Sequence, residues 1–225
     1  MLRALRESGA ASIWCLGDLV GYGADPSYCL ATCTARSERC LAGNHDLGAS
    51  GRIPVDDFSA LARAALRWTR GELGAAGRAR LDRLEPSALD GDVELFHASP
   101  RDPVWEYVVT VDQARAALED RRVALTLIGH THLPGAWCLT ADGAMRAVRV
   151  QGEGTLQLGE GRWLVNPGSV GQPRDGDPRA AWALYDADVG TIRFRRTPYD
   201  VAAAQGAILA AGLPEMLAVR LSEGW

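Results

Sequence analysis

The stretch Arg39-Cys40-Leu41-Ala42-Gly43-Asn44-His45-Asp46 joins a short strand-like run to four residues that break its apolar character. Glycine at position 43 permits backbone angles that other residues avoid, and an amide, an imidazole and a carboxylate follow it directly. Taken alone, this tetrapeptide is equally well interpreted as a turn. It nevertheless brings three side chains that can bind metal or move protons to the end of a strand.

Similar polar endings occur at three other places in the chain. Apolar, strand-like runs end at Gly17-Asp18, at His97 and at Gly129-His130-Thr131-His132. All four histidines of the sequence therefore lie at a strand end or within two residues of one. Because open α/β sheets bind ligands at the carboxyl ends of their strands, we expect these side chains to lie close together.

The overall composition is that of an ordinary globular protein. The chain has 225 residues, of which 47% are hydrophobic and 23% charged, and its net charge is -4. Acidic and basic residues are interspersed, so no surface for nucleic acid is indicated. No apolar run approaches the ~20 residues of a membrane span, and the charged start Met1–Glu7 is not a secretory signal. We expect one domain over residues 1–225, with no nucleic-acid or membrane partner.

The cysteines predict a reducing compartment. There are five, an odd number, and none forms a C-x-x-C pair. Cys29 and Cys33 are four residues apart and could form a metal clamp on one helix face, although small buried thiols are the more common use of such residues. We therefore expect a cytoplasmic protein.

The pattern of secondary structure changes after the last histidine. Before it, apolar strands alternate with helices, whereas afterwards short strands follow one another and predict hairpins, with turn signals such as Asp142-Gly143. This order predicts an α/β (α+β) fold with two sheets face to face and helices outside. The predicted strands are 12–16, 39–42, 93–96, 123–128, 136–140, 145–150, 155–158, 162–166, 180–186 and 191–196. The predicted helices are 1–9, 26–35, one from residue 58 that Gly71 and Gly74 interrupt, a second short one over 75–84, 112–120, and 201–221 with a break at 212–214.

The strand ends together offer a mixed set of oxygen and nitrogen ligands. Carboxylate, amide and imidazole groups suit Mn, Fe, Zn or Ni better than Ca or Mg. Two such ions about 3.5–4 Å apart, bridged by a carboxylate, form a clamp for displacement at phosphorus. An imidazole outside the metal shell, such as His45, could protonate the leaving oxygen, and Asp46 could orient it. The residues concerned are Asp18, Asn44, His45, Asp46, His97, His130 and His132.

In this order, the motifs Gly17-Asp18, Gly43-Asn44-His45-Asp46, His97 and Gly129-His130-Thr131-His132 resemble the calcineurin-like metallophosphoesterase superfamily. More narrowly, they resemble its small bacterial single-domain members of the YfcE-like kind, and the loop at 166–171 fits that subgroup. The resemblance implies a four-layer α/β/β/α sandwich of two mixed sheets. It also implies hydrolysis of a small phosphate mono- or diester with two divalent metal ions, most often manganese.

The resemblance assigns the metal ligands residue by residue. Asp18 would bridge the two ions. Asn44, His97 and His130 would complete one site, and His132 would serve the other.

The resemblance also implies roles around the substrate. His45 would be the proton donor or transition-state stabiliser, with Asp46 beside it. Ser169 and Arg174 are candidates for contacts with the phosphate, although Arg174 could equally be a surface charge.

One motif of the family has no counterpart in this sequence. The family opens with a strand that ends in Asp-x-His, but no aspartate precedes Asp18 and no histidine precedes His45. We therefore expect an N-terminally truncated chain in which the first central strand is absent. The second metal site, left with Asp18 and His132, would then be incomplete.

Two other functions fit the same residues. A protein that has lost one metal site could serve as a catalytically impaired binding or scaffold module with a metallophosphoesterase fold. A metal-binding regulator without catalysis would have no need of His45 as a proton donor. The sequence leaves the oligomeric state open, and a homo-oligomer is compatible with it.

Overall fold

The computed structural model describes all 225 residues, and most helices and strands lie close to their predicted positions. The strands are β1 (Trp14–Cys15), β2 (Arg39–Cys40), β3 (Ser87–Asp90), β4 (Val93–Phe96), β5 (Leu125–Leu127), β6 (Gly135–Leu139), β7 (Met145–Arg149), β8 (Gly154–Gln157), β9 (Arg162–Asn166), β10 (Ala180–Asp186) and β11 (Thr191–Thr197). The helices are α1 (Leu2–Glu7), α2 (Pro26–Arg36), α3 (Asn44–Ser50), α4 (Ala60–Leu81), α5 (Val111–Leu118), α6 (Val201–Ala210) and α7 (Glu215–Glu223), with a 3-10 turn at Val55–Asp57.

Three elements differ from the sequence-based expectation. The tetrapeptide that begins at Gly43 is not a turn, because Gly43 caps α3 and the helix starts at Asn44. Strand β3 was not predicted, since Ser87–Asp90 has little strand character. Strand β8 does not form a hairpin with β9 but pairs antiparallel with β11. Turn residues act on the local backbone, so they do not determine with which strand, far away in the chain, a given strand will pair.

The larger sheet has six strands in the order β3-β4-β5-β9-β6-β7. Its three central strands, β4, β5 and β9, run parallel, and an antiparallel strand or hairpin completes each side. The central strands are covered on both faces, which explains why their sequences read as continuous apolar runs.

The layer that faces the six-stranded sheet, called the second layer below, consists of two separate sheets. The sequence predicts a single sheet there, and this expectation is corrected. Strands β1 and β2 form a two-stranded parallel sheet, and β10, β11 and β8 form a three-stranded antiparallel sheet. The two small sheets contact each other through side chains, and the ring centroids of Trp14 and Tyr185 are 6.4 Å apart. Strands β1 and β2 have only two residues each and form a correspondingly short ladder.

Both faces of the six-stranded sheet are packed, which produces the expected four layers. Residues such as Leu95 and Val165 face the second layer and contact Leu41 and Phe194. On the opposite face, Leu164 and its neighbours pack against α5. Helices α2 and α4 cover the outside of β1 and β2.

Helix α4 supports the C-terminal helices. Its apolar face packs on α6 and α7, which form an antiparallel pair. The helix is kinked at Gly74, whose φ of +57° lies outside the helical region, where the sequence predicts an interruption. None of the helices is both long enough and apolar enough to span a membrane.

The thiols are packed residues rather than a metal clamp. All five cysteines are free. Cys15 and Cys40 lie opposite each other in the β1–β2 ladder, and Cys33 of α2 packs against the same core. A hydrogen bond with Cys15, followed by burial, raises the pKa of the Cys33 thiol, and burial raises that of Cys29 to about 11. The free thiols and the shared apolar core of Cys15, Cys33 and Cys40 agree with packed residues, the more common use of such side chains.

The importance of the interlayer core can be tested at Leu95. Its side chain is 0% exposed between the two sheet layers, so Leu95→Ala should lower the free energy of unfolding by about 2–5 kcal/mol. Urea denaturation measures this change. Leu89→Ala is the matched control on the adjacent strand β3, because Leu89 is 60% exposed, and it should change stability by less than about 0.5 kcal/mol. Equal losses in the two variants would contradict this assignment of the core.

Candidate metal centre

The ends of four parallel strands converge on one edge of the two layers. Strands β1 and β2 in one layer lead to Asp18 and Asn44, and β4 and β5 in the other lead to His97 and His130. The centre is therefore built from both layers, at the position that the strand pattern predicts.

The backbone is strained at three of the predicted ligands. Asp18, His130 and His132 have φ values of +54°, +62° and +62°, and no other non-glycine residue in the chain has a positive φ. The left-handed region costs a non-glycine residue about 1–2 kcal/mol, although Asp and His tolerate it better than most. Strain of this kind persists only where surrounding contacts hold it, and it is typical of functional sites.

Two glycines allow the strand ends to approach each other. A Cβ atom on Gly43 would lie 2.0 Å from Oδ1 of Asp18, and one on Gly17 would lie 2.6 Å from the amide nitrogen of Gly43. This close approach lets the backbone N–H of His45 donate to Oδ1 of Asp18 at 3.0 Å. Space therefore requires the glycine before each motif, and at Gly17 the φ of +92° requires it as well.

Asp46 links the two strand ends. Its carboxylate is fully buried and accepts hydrogen bonds from the backbone N–H groups of Gly43 at 2.8 Å and of Leu19 and Val20 at 3.2 Å each. It thus caps α3 and fixes the loop that carries Asp18. These contacts are with the backbone and not with the ring of His45, so any influence of Asp46 on that ring passes through the helix terminus.

His97 directs a lone pair into the centre. Its Nδ1 donates to the carbonyl oxygen of Leu16 at 2.7 Å, which leaves Nε2 as an acceptor in the neutral ring. This Nε2 lies 3.2 Å from Nδ1 of His130, 3.3 Å from Oδ1 of Asn44 and 3.6 Å from Oδ1 of Asp18. A backbone carbonyl behind a ligating histidine is the usual arrangement in metal sites.

These four atoms fit the first shell of a divalent cation. Bonds of about 2.0–2.2 Å place neighbouring ligand atoms roughly 2.8–3.6 Å apart, which matches the distances around Nε2 of His97. Three of the four atoms are acceptors that face one another, an unfavourable arrangement without a positive charge between them. The ligand atoms of Asp18, His97 and His130 all lie within 4.8 Å of one another. The centre can therefore hold a divalent cation with Asp18, Asn44, His97 and His130.

His132 lies outside this group. Its Nδ1 donates to the carbonyl oxygen of Gln172 at 2.7 Å, so its Nε2 carries the lone pair. The predicted second metal site would consist of Asp18, which is also a ligand of the first site, and His132, which is not part of the first group.

Burial keeps the imidazoles neutral. It lowers the pKa of His97 to about 4 and that of His130 and His132 to about 3, the charge of Arg174 adding to the effect at His132. Burial also raises the pKa of the carboxyls of Asp18 and Asp46. Since Asp46 accepts three amide hydrogen bonds that favour its charged form, we assign the remaining proton to Asp18.

His45 lies beside the ligands in an aromatic pocket. Its ring centroid is 4.3 Å from that of Tyr22 and 5.3 Å from that of Phe58, and its Nδ1 is buried against Gly21 without a hydrogen-bond partner. Burial, and then the neighbouring imidazole of His132, lowers its pKa well below the ordinary value. The ring is therefore neutral and firmly held.

The two predicted phosphate contacts differ in position. The hydroxyl of Ser169 accepts from the backbone N–H of Gln172 at 3.0 Å, so it closes its own loop. Arg174 donates from its backbone N–H to the carbonyl of His132 at 3.2 Å and from its guanidinium to Gln172. Its backbone bond joins Arg174 to the loop of His132, and its positive charge opposes the rise in the pKa of Asp18.

Some residues of the centre carry no signal in the sequence. The side-chain amide of Asn166 donates to the carbonyl of Gly129 at 2.6 Å and to the hydroxyl of Thr131 at 2.9 Å, and so holds the loop of His130 and His132. Asn166 could have been noticed only as the first residue of the glycine-rich loop. Tyr22 lies in an ordinary loop, and only the fold brings it to His45.

Comparison with known proteins agrees with this geometry. A family model of the calcineurin-like phosphoesterase superfamily domain matches residues 1–189. An uncharacterized protein of Methanocaldococcus jannaschii is 34% identical over 234 residues, which span 100% of this chain and 91% of the relative. The crystal structure of a metallophosphoesterase from Sphaerobacter thermophilus has a TM-score of 0.87 at 35% identity and covers 100% of this chain and 94% of that one. A hypothetical protein from Pyrococcus horikoshii, at 20% identity, shares the fold with a TM-score of 0.79 over 100% and 90% of the two chains.

The role of Asp18 can be tested by metal titration. Asp18→Asn removes the charged ligand, so the dissociation constant for Mn²⁺ should rise by at least about tenfold in isothermal titration calorimetry. Asp188→Asn, at an exposed position in the β10–β11 turn, makes the same chemical change and should leave the affinity as it is. Unchanged affinity in the Asp18 variant would exclude this residue as a ligand.

The affinity should also depend on pH. Below the raised pKa of Asp18, an ion must displace one proton from the carboxyl, whereas His97 and His130 are already neutral. The Mn²⁺ dissociation constant should therefore increase as pH falls below that pKa, by up to about tenfold per pH unit. Calorimetry at several pH values from about 8 down to about 5.5 covers this range. In Asp18→Asn the dependence should be nearly flat, and an equal slope would show that another group carries the proton.

Proposed function

The chain belongs to the calcineurin-like phosphoesterase superfamily, and on this basis we propose that it hydrolyses phosphate mono- or diesters with the help of bound metal. The observation that carries the proposal is the convergence of Oδ1 of Asp18, Oδ1 of Asn44, Nε2 of His97 and Nδ1 of His130 beside the ring of His45. A buried set of acceptors that can hold a divalent cation, next to a held ring N–H, suits a reaction in which negative charge develops, because the cation and the donor would stabilise that charge.

The metal requirement follows from the donor set. Divalent cations at such a centre lower the pKa of a water molecule and neutralise charge on phosphoryl oxygens. Asp18, Asn44, His97 and His130 would hold the first ion, and Asp18 with His132 would contribute to a second. We propose manganese, since mixed oxygen and imidazole ligands suit it.

The protein's own residues would act on the substrate in three ways. Arg174 would attract the phosphate through its positive charge, in the position that already affects the pKa of Asp18. His45 would present a ring N–H to the oxygen of the leaving group, and packing against Tyr22 and Phe58 keeps the ring in place. Asp46 would keep the amide of His45 on Asp18 through its bonds to the helix terminus.

We further propose a small phosphate ester as substrate and the cytoplasm as the compartment. The burial of most residues around the ligands supports the proposal of a small substrate. The compartment follows from the five free thiols, which persist in reducing surroundings.

The activity is tested with p-nitrophenyl phosphate and bis(p-nitrophenyl) phosphate. Hydrolysis of at least one should require Mn²⁺, stop on addition of EDTA and return with excess Mn²⁺. His45→Gln should lower kcat by about 10²–10⁴-fold, because it removes the ring N–H from the leaving oxygen while the metal ligands remain.

The metal affinity of His45→Gln is the control for this experiment. An Mn²⁺ dissociation constant within about threefold of the original value would show that the centre is intact. Tight Mn²⁺ binding without turnover of either ester would refute the hydrolase proposal and favour a binding or scaffold protein. Full activity in His45→Gln would refute the role of His45.

A further inference from the structure

An exposed aromatic ring lies directly beside the metal ligands. Tyr107, in the loop between β4 and α5, has its ring centroid 4.2 Å from that of His130, with an angle of 37° between the planes. The residue is nevertheless 45% exposed. One part of the ring thus covers a ligand, and a large part remains open next to the centre.

The loop that carries Tyr107 is held firmly. The carboxylate of Asp102 accepts from the backbone N–H groups of Val104 at 3.0 Å and Trp105 at 3.1 Å, and the hydroxyl of Ser99 donates to Glu106. The ring of Trp105 packs edge-on against that of Phe58, with the two centroids 5.0 Å apart. The backbone that leads to Tyr107 is therefore held, and the packing of its ring on His130 reduces the ordering needed before it receives a ligand, which favours affinity.

A second tyrosine packs on another histidine of the site. Tyr22 covers His45 as Tyr107 covers His130, with ring centroids 4.3 Å apart in the first pair. Burial raises the pKa of Tyr22, and the positive charge of Arg174 opposes this rise. Arg174 lies beside the centre, because its backbone N–H donates to the carbonyl oxygen of His132 at 3.2 Å. The centre therefore has a cation for a phosphate and an open aromatic surface beside it.

We propose that the substrate carries a planar aromatic group on its leaving side, as a nucleoside or aryl phosphate does, and that this group stacks on the open face of Tyr107. The inference rests on the proposed function, because it identifies the chemical class of that same ester. Stacking on an aromatic side chain is tolerant of the identity of the ring and adds appreciable affinity. An aliphatic or sugar phosphate would leave the exposed ring surface unused.

The simpler alternative is that Tyr107 only shields His130 from solvent. A leucine would also shield the imidazole but cannot stack on a planar ligand. A phenylalanine keeps both properties. The two substitutions therefore separate the interpretations.

The experiment measures binding with two ligands that differ only in the base. Both are phosphonates in which a CH₂ group replaces the ester oxygen, one built on adenosine and the other on ribose, so neither can be hydrolysed. In the Mn²⁺-loaded protein, the adenosine ligand should bind about tenfold more tightly than the ribose ligand in isothermal titration calorimetry. The ratio should persist in Tyr107→Phe and fall below about threefold in Tyr107→Leu.

Tyr28→Leu is the matched control, because Tyr28 is 64% exposed on α2 and should leave the ratio unchanged. The Mn²⁺ affinity of each variant verifies that the centre is intact. Equal affinity for the two ligands, absence of binding by both, or an unchanged ratio in Tyr107→Leu would overturn the inference. Since the ligands are not hydrolysed, this result is separate from the hydrolysis test, and failure of hydrolysis alone would refute only the proposed function.

Discussion

The metal centre depends on the buried carboxylate of Asp46 and its three bonds to backbone amides. These bonds join the start of α3 to the loop after β1, and they bring the amide of His45 onto Asp18. The contacts hold Asp18 in a left-handed conformation that the residue would otherwise avoid. Removal of the carboxylate would leave several buried N–H groups without partners, each at a penalty of about 1–3 kcal/mol. The position of a predicted ligand thus follows from a residue that touches no metal.

The same burial that orders the centre also sets its charge. The imidazoles are neutral because a buried positive charge is unfavourable. The pKa of the Asp18 carboxyl is raised because a buried negative charge is unfavourable too. Once the carboxyl of Asp18 is ionised, lone pairs on Asp18 and Asn44 face that of His97 at 3.6 and 3.3 Å. A divalent cation would remove this repulsion, and its binding would release the proton that Asp18 holds below its pKa. Backbone strain and electrostatic repulsion are both features of a site prepared for a ligand.

The positions of the helices, the strands and the motifs were predictable from the sequence. The contacts between residues far apart in the chain were not. The runs at 93–96, 162–166 and 180–186 form strands at those positions because their apolar pattern is local information. The pairing of β8 with β11, the division of the second layer and the stacking of Tyr107 on His130 depend on contacts between distant residues. The motif residues could be grouped because each follows a strand, and strand direction decides where those ends meet. The bonds of Asp46 to Leu19 and Val20 have no counterpart in a local pattern.

The distribution of ligands between the two layers connects the centre to the stability of the fold. Asp18 and Asn44 follow strands of the divided layer, whereas His97 and His130 follow strands of the six-stranded sheet. A cation bound to all four would join layers that are otherwise held mainly by apolar contacts such as Leu41 with its neighbours. Because a ligand that binds only the folded state stabilises that state, the cation would stabilise the packing of one layer on the other. The stabilisation would have its largest effect on β1 and β2, because these strands are only two residues long and have few ladder hydrogen bonds of their own.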